Sequence, residues 1–248
     1  MRKATLALWL SLSANAGAQE GAPPPERAEY GLETDVSSRY LFRGVPFSEE
    51  PVNQFTAWTS FYGISFYAWG NVLLRRETGQ NDFNELDFGG SYSREFGWLT
   101  LEPAFDAYLF RMPAPRTPPH TLEGSLKASC ALGPLEAFTR QIVDIVFNPG
   151  AYYAEAGVSF ARDFSASTSL EAALTVAWAS ARFNAAHLGV PEGGRNHIGL
   201  TLSFTYFPSE RFYLKPHFEL ASFAASPIGA HLAEPTVGSF GVAFGFLR

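Results

Sequence analysis

The sequence has few of the residues on which catalytic, metal-binding and nucleic-acid-binding sites depend. Its single cysteine, Cys130, excludes an internal disulfide and offers no metal cluster. Only 17% of the residues are charged, and a formal net charge of −6 argues against a nucleic-acid surface. The histidines do not accompany a serine in a recognisable nucleophile motif; they are His120, His187, His197, His217 and His231. We therefore expect no enzyme activity, no cofactor and no bound metal.

Long apolar runs are also missing, because no stretch approaches the roughly 20 residues of a spanning helix. The run from Ala4 to Leu12 is too short, but it follows Arg2 and Lys3 and precedes the small residues Ala16-Gly17-Ala18. This order is typical of a secretory signal cleaved before Gln19. The predicted divisions are a signal peptide over 1–18, a Pro-rich tail over 19–28 and a single domain over 29–248.

What the sequence does contain is alternation of apolar and charged residues, beginning in the segment from Glu29 to Gly44. The apolar positions are Tyr30, Leu32, Val36, Tyr40 and Phe42, and the charged positions are Glu33, Asp35, Arg39 and Arg43. Successive side chains of a strand point to opposite faces, so this pattern predicts a strand with one apolar and one charged face. The pattern recurs to the end of the chain, and aromatic residues reach 15%.

Alternation and turn residues together predict about twelve strands. Their approximate bounds are 29–43, 53–62, 64–75, 83–95, 98–110, 121–131, 135–147, 152–162, 169–183, 197–207, 212–222 and 236–247. Long or Gly/Pro-rich connections alternate with tight ones, as short periplasmic turns alternate with longer outer loops in outer-membrane barrels. We therefore predict an all-β fold, a closed antiparallel transmembrane β-barrel with a polar lumen. A lipocalin-like barrel or a soluble sandwich is the alternative.

The charged face of each strand should point into the lumen, since charges on the lipid face are costly. The lumen-lining candidates are Glu33, Asp35, Arg39, Arg43, Arg75, Glu85, Asp87, Glu102, Asp106, Lys127 and Arg140. Candidate aromatic contacts for a solute are Trp58, Tyr67, Trp69 and Tyr108. The charges could pair into a ladder that plugs the lumen, or line a water-filled path whose acidic excess favours cations. The aromatic residues could equally fill space in a plugged barrel.

Several segments resemble a known family. They are Asp35-Val-Ser-Ser-Arg-Tyr-Leu-Phe-Arg-Gly44, Pro51-Val-Asn-Gln-Phe55, Phe66-Tyr-Ala-Trp-Gly-Asn71 and Glu85-Leu-Asp-Phe-Gly-Gly-Ser-Tyr92. The chain from about Glu29 to Tyr108 resembles the TorF-like family of Gram-negative outer-membrane proteins, although Ser91 stands where the family usually has Gly. The resemblance implies an outer-membrane barrel with a pore role. The closing Phe244-Gly-Phe-Leu-Arg248 also resembles the aromatic C-terminal signal of such proteins, apart from its final Arg.

Three functions follow as hypotheses. The first is a passive outer-membrane channel for small solutes with a mild cation preference. The second is a closed barrel with a structural or adhesive role acting through its outer loops, and the distant third is an outer-membrane lipid hydrolase. The expected partners are outer-membrane lipid and, during assembly, the outer-membrane insertion machinery, and no nucleic acid is expected. The sequence does not specify a solute or an oligomeric state.

Overall fold

The computed structural model describes residues 28–74, 83–110 and 120–248, and within these ranges most residues lie in β-strands. The first eight strands are β1 (Glu29–Ser37), β2 (Tyr40–Phe42), β3 (Val45–Ser48), β4 (Val52–Phe61), β5 (Ile64–Leu73), β6 (Phe83–Tyr92), β7 (Arg94–Phe96) and β8 (Leu99–Phe110). The others are β9 (Thr121–Leu132), β10 (Leu135–Asp144), β11 (Tyr152–Ser165), β12 (Thr168–Ala179), β13 (Gly194–Tyr206), β14 (Phe212–Ser222) and β15 (Thr236–Leu247). A helix α1 (Ala181–Leu188) and a 3-10 helix η1 (Pro227–His231) lie in two connections.

Twelve of these strands form a closed antiparallel barrel, which confirms the predicted fold class. Strands that follow one another along the barrel are neighbours, β6 pairs with β8, and the first strand pairs with the last. The pairing of β1 with β15 sets Glu33 opposite Gly245 and Asp35 opposite Ala243. This closure leaves the barrel with no open edge strand. The strands β2 and β3 form a separate two-stranded hairpin, and β7 pairs only with β8.

The two faces of the barrel differ in the way that the alternation predicts. Apolar side chains cover the outside, where Leu32 is 58% exposed and Phe240 is 69% exposed. Many of their neighbours along the same strands point inward and are polar; Glu33 and Ser239, for example, are buried. An uninterrupted apolar outer surface is what a bilayer requires of a barrel.

The two ends of the barrel also differ. Tight turns join the strands at one end, which we call the tight-turn end; Tyr62 and Gly63 in one of them both have positive φ, the geometry of a two-residue hairpin turn. The chain termini of the barrel meet there, since Tyr30 and Arg248 exchange backbone hydrogen bonds. The opposite end, the long-loop end, carries the connections 38–51, 145–151, 180–193 and 223–235. None of the helices in the described ranges is long and apolar enough to cross a membrane.

The first strand is shorter than the predicted 29–43, and this corrects the expected positions of two aromatic residues. It ends at Ser37, and β2 and β3 then fold into the barrel as the first-loop hairpin, defined as residues 38–50. Tyr40 and Phe42 therefore do not face outward; they are only 2% and 4% exposed. The reversal occurs at Arg43 and Gly44, whose φ angles of 52° and 78° make a two-residue turn of the kind that matches the twist of a hairpin.

The ninth predicted strand, 169–183, also ends early, at Ala179. Ser180 caps helix α1 by accepting a hydrogen bond from the Phe183 backbone amide, and Gly189 ends the helix in the left-handed conformation. The predicted signal peptide, residues 19–27 of the predicted tail and Arg75 lie outside the described residues.

Candidate functional site: the barrel interior and the hairpin above it

The barrel interior holds a cavity of about 1910 Å³ that begins at the tight-turn end. Residues of the tight turns, including Gly97, Gly133 and Ala166, line its mouth, and Tyr40, Leu41 and Trp69 lie at its far side. The first-loop hairpin thus closes the cavity at the end away from the tight turns. A solute could enter this space from the tight-turn end without a change in the hairpin.

The sequence-predicted residues divide between the cavity and the packed region above it. Those that line the cavity are Glu33, Asp35, Arg39, Glu102, Asp106 and Arg140 and the aromatic residues Trp58, Tyr67 and Trp69. Those that are buried in the barrel but do not line the cavity are Arg43, Glu85, Asp87, Lys127 and Tyr108. The aromatic candidates therefore do not form one surface, because Tyr108 packs against the hairpin.

The cavity wall is predominantly acidic. Its acidic side chains are Glu29, Glu33, Asp35, Glu95, Glu102, Asp106, Glu136, Asp163, Glu171, Glu210 and Glu219. Its Lys and Arg side chains are Arg39, Arg140, Arg162, Arg211, Lys215 and Arg248. Eleven carboxylates against six cationic side chains leave an excess of five negative charges. The formal charge of the wall is therefore negative.

Part of this charge is neutralised on the wall by contacts that cross β15. Lys215 Nζ lies 2.9 Å from Glu33 Oε2, and the Tyr213 hydroxyl donates to the same oxygen at 2.5 Å. His217 Nε2 lies 2.9 Å from Asp35 Oδ1. These side chains belong to β14 and β1, which are separated by β15.

Small residues of β15 make these contacts possible. Gly245 pairs with both Glu33 and Tyr213, and a Cβ atom built at Gly245 would lie 1.8 Å from the Tyr213 ring. Gly241 likewise pairs with residues on both sides, Ser37 on β1 and His217 on β14. The absence of a side chain lets a long residue lie across the intervening strand.

The same arrangement recurs on the part of the wall formed by β5, β6 and β8. Tyr67 lies over Gly89 and donates a hydrogen bond to Asp106 Oδ1 at 2.5 Å. Asp106 is on β8, so the contact crosses β6, which carries the glycine. The aromatic ring and the carboxylate are therefore held in fixed positions at the cavity wall.

Arg140 is a cationic side chain placed among several acids of the barrel interior. It interacts electrostatically with Glu102, Asp106 and Glu155, yet within the described ranges no ion pair of ordinary geometry is formed by its guanidinium. The neighbouring Lys127 is already paired, with its Nζ 3.0 Å from Glu136 Oε1. Arg140 is thus a guanidinium on the cavity wall, although its Nε atom is buried.

Above the cavity, the tip of the first-loop hairpin crosses the barrel and is fastened to the far wall. Both terminal nitrogens of Arg43 donate to the carboxylate of Glu123 on β9, one of them at 2.9 Å, and the Tyr108 hydroxyl donates to Glu123 at 3.0 Å. The Arg43 guanidinium also lies 4.5 Å from the Phe42 ring centroid and 5.0 Å from that of Tyr153. Arg43 and Glu123 are both buried, so this ion pair is shielded from water.

The hairpin packs against the connections of the long-loop end. Leu41 and Val45 form an apolar cluster with Val190, Phe223 and Ile228. On its other side, Tyr40 and Phe42 pack with Val52, Trp69, Tyr108 and Phe110. Aromatic and aliphatic side chains therefore fill this level of the barrel.

His187 in α1 completes the contact between the helix and the hairpin. Its ring centroid lies 4.3 Å from that of Phe183, 5.8 Å from that of Phe42 and 6.2 Å from that of Phe47. Burial, with the nearby Arg43 guanidinium, lowers the pKa of His187 to about 4 despite the opposing carboxylate of Glu123. The imidazole is therefore neutral at pH 7.

Sequence reasoning did not identify Glu123 as the partner of Arg43, or His187 as a packing residue. Glu123 was one acid among many on the inner face, and the 80 residues that separate it from Arg43 give no local signal. The inward glycines Gly89, Gly241 and Gly245 were a usable signal, because Gly at an inward position of a strand indicates close approach of another group.

Comparison with solved structures shows the same fold. The KdgM porin, solved in complex with disordered oligogalacturonate, aligns with a TM-score of 0.51 and 9% sequence identity, covering 89% of this chain and 98% of that one. The NanC porin aligns with a TM-score of 0.54 and 10% identity, covering 87% and 98%. An outer-membrane channel from Pseudomonas putida F1 aligns with a TM-score of 0.51 and 10% identity, covering 93% and 100%.

No protein-family model and no curated protein matches the chain. The solved structures therefore establish a porin-like twelve-stranded barrel, and at these identities they establish the fold alone.

Proposed function

We propose that this protein is a passive outer-membrane channel for small solutes, and that the first-loop hairpin controls the long-loop end of its lumen. The observation that carries the proposal is the charged cavity of about 1910 Å³ inside a closed barrel. A purely structural barrel has no need of an interior that water can enter. The apolar outer face, the predicted export signal and the TorF-like resemblance support the membrane location.

The proposed orientation follows from the two ends. In outer-membrane barrels the short turns face the periplasm and the long loops face outward. The cavity would then open to the periplasm, and the hairpin would lie near the outer surface. An epitope inserted after Pro208 should be accessible only in permeabilised cells, and one inserted after Ala224 should be accessible on intact cells; the reverse pattern would invert the orientation.

A second candidate function is a closed barrel that acts through its outer loops. The observation in its favour is the hairpin itself, since its tip is buried and fastened to the opposite wall. A channel requires that the hairpin leaves a conducting path or moves to create one. A closed barrel has no such path in either case. Conductance in planar bilayers distinguishes them.

The decisive experiment compares the full chain with a variant that lacks the hairpin. Ser37 and Val52 are directly opposite each other in the β1–β4 pair, so an Asn-Gly turn can replace residues 38–51 without a change of register. We expect discrete conductance steps from the wild type and larger, more persistent steps from the variant. If neither protein conducts, although both are folded, the channel proposal fails and the closed barrel is favoured.

The acidic excess of the wall leads to a proposed mild cation preference. Glu102 and Asp106 line the cavity, so the paired replacements Glu102→Gln and Asp106→Asn should lower the cation-to-anion permeability ratio. The matched control replaces Glu192 and Glu234, acids of the long-loop connections that do not line the cavity. An unchanged ratio in the wall variant, or an equal change in the control, would remove these residues from ion selection.

A solute that binds in this cavity should carry a group that the wall can recognise. Trp58 and Tyr67 offer aromatic faces at this cavity, and the wall around them carries an excess of acidic side chains. We infer that neutral polar solutes with flat apolar faces, such as sugars, or solutes with a positive charge, would pass more readily than free anions. Solute-dependent blockade of single-channel current tests this preference.

A further inference from the structure

Two buried carboxylates of the barrel wall, Glu85 and Asp87, form no ion pair with any residue of the described ranges. Glu85 and Asp87 both point inward from β6, and they are 1% and 0% exposed. Their Cα atoms are about 7 Å apart, because a strand rises about 3.3 Å per residue. Neither carboxylate oxygen of Asp87 has a hydrogen-bond partner of ordinary geometry. Within the described ranges neither residue forms a salt bridge, and the nearby Arg43 is already paired with Glu123.

An independent observation concerns the neutral groups that face this pair. Asn71 on β5 is directly opposite Glu85 and is 0% exposed. Its side-chain nitrogen donates to Asn84 Oδ1 at 2.7 Å, which leaves Asn71 Oδ1 buried and without a partner. The phenol of Tyr40, on the first-loop hairpin, lies close to both carboxylates and is also buried.

Such an arrangement is costly unless a positive charge is present. Two carboxylates close together repel each other, and burial removes the water that would screen them. The candidate ligand atoms are all oxygens, which hard cations prefer. The two carboxylates together match the charge of a divalent ion. The described residues contain no group of three or more His, Cys, Asp or Glu that could hold a metal, so an ion here would rely on the amide and the phenol as well.

We propose that Glu85, Asp87, Asn71 and Tyr40 form a Ca²⁺ site. Two carboxylates, the Asn71 carbonyl and the Tyr40 phenol supply up to six oxygen ligands, within the range that Ca²⁺ accepts. Mg²⁺ is a poorer match because it requires a compact octahedron and retains its waters. Tyr40 and Trp69 line the end of the cavity that the hairpin closes. An ion can therefore reach the site through the cavity.

The site joins two parts of the fold. Tyr40 belongs to the hairpin, whereas the other three ligands belong to the barrel wall. A bound ion would therefore hold the hairpin against β5 and β6, and this inference does not depend on whether the barrel conducts.

The test measures binding to the purified, folded full-length chain in detergent. Tb³⁺ replaces Ca²⁺ at oxygen sites and emits when a nearby aromatic side chain is excited. Trp69 is directly opposite Asp87, and its ring centroid is 5.3 Å from that of Tyr40. We expect saturable Tb³⁺ emission that Ca²⁺ displaces at lower concentration than Mg²⁺, and that falls in Trp69→Phe.

The variants then locate the site. Asp87→Asn and Glu85→Gln should each weaken Ca²⁺ binding at least tenfold, and Tyr40→Phe should weaken it less. Asp163→Asn at the cavity mouth is the matched control and should bind as the wild type does.

Because Asn is nearly isosteric with Asp, the Asp87 variant should fold, and its gel mobility without heating verifies this. No saturable binding by the wild type, wild-type affinity in folded Asp87→Asn, or an equal loss in Asp163→Asn would each overturn the proposal.

Discussion

Replacement of Arg43 by Met should release the first-loop hairpin from the far wall of the barrel while leaving the barrel intact. Arg43 is the only residue of the hairpin tip that makes an ion pair in the described ranges, and its partner Glu123 is on β9, across the lumen from β1. Met retains much of the apolar stem of Arg but cannot donate to the carboxylate. Glu123 would then be a buried charge with a hydrogen bond from Tyr108 alone.

The size of the effect follows from burial. Both side chains of the pair are less than a tenth exposed, so solvent screening is weak. Removing one partner of a buried ion pair typically costs about 3–5 kcal/mol, because the other charge remains unpaired. If the free energy of docking falls by about 3 kcal/mol, the ratio of docked to undocked hairpin should fall about a hundredfold.

Hydrogen exchange of the backbone amides of residues 40–48 measures this ratio directly, since these amides exchange when the hairpin opens. We expect exchange about a hundredfold faster in Arg43→Met, with little change in the barrel strands. Lys127→Met is the matched control. It removes a buried cation from an ion pair with Glu136 on the barrel wall, but Lys127 is in β9 and not in the hairpin.

A double-mutant cycle with Glu123→Gln tests the cause. If the ion pair holds the hairpin, the double variant should open less than the sum of the two single variants predicts, by more than about 1 kcal/mol. Exchange in Arg43→Met within a fewfold of the wild type would refute the reasoning. Strictly additive effects of the two substitutions would show that the residues act separately.

Three further predictions concern other parts of the fold. The pKa of His187 is lowered to about 4 from its ordinary 6.5, so the packing of α1 on the hairpin should weaken as pH falls through this window, by up to about 3 kcal/mol, and exchange of the helix amides should accelerate. Gly245→Ala should lower the stability of the barrel by about 1–3 kcal/mol in denaturant unfolding, because the new Cβ would displace the Tyr213 ring. Leu174→Arg should destabilise the barrel in lipid vesicles by about 2–4 kcal/mol, because this outward side chain is 51% exposed on the apolar face.

Each of these predictions has a control. His187→Phe should remove the acid sensitivity, and persistence of the same pH response would assign it to another group. Gly238→Ala should be tolerated better than Gly245→Ala, since its nearest neighbour would be 3.4 Å away. Ser203→Arg, which points into the cavity, should cost less than Leu174→Arg; equal costs would argue against a lipid-facing position for Leu174.

The barrel could be predicted from the sequence because its two faces meet different surroundings along almost its entire length. Leu200, Leu202 and Phe204 are exposed on the outside, while the intervening Thr201 and Ser203 are buried. This period-two pattern recurs along the barrel, and tight turns repeat with glycine at positions such as Gly63, where φ is positive. Both signals are local, so neither requires knowledge of which strands pair.

The hairpin could not be recognised in the same way, since its residues continue the alternation of β1. Tyr40 and Phe42 occupy the positions that outward residues would have if the strand continued. Two local signals nevertheless opposed a single strand over 29–43. Its length exceeded the nine to eleven residues that cross a bilayer, and Arg43-Gly44 could form a hairpin turn. The predicted strand over 29–43 was therefore too long, because the chain after Ser37 forms the first-loop hairpin.

The contacts inside the barrel depend on register, which the sequence does not specify. Glu33 meets Lys215 and Tyr213 only because β15 lies between their strands and carries Gly245 at that level. A shift of one residue between β1 and β15 would direct these side chains to opposite faces. The acids and bases of the inner face could be named individually, but their pairing could not be predicted.

The backbone of Arg43 gives an independent reason to regard the hairpin as a fastened element. Its φ of 52° is uncommon for a residue other than glycine, and Asn or Gly would adopt the same turn at lower cost. Tyr62 has a similar φ, but it is in an exposed tight turn, 53% accessible to solvent. At the hairpin tip the strained residue is instead the one that bonds Glu123 and packs beside Tyr153. Because strained conformations persist where surrounding contacts hold them, the contacts of the guanidinium outweigh the conformational cost at this position. If so, Arg43→Asn should form an easier turn and yet release the hairpin, a combination that a merely structural turn would not produce.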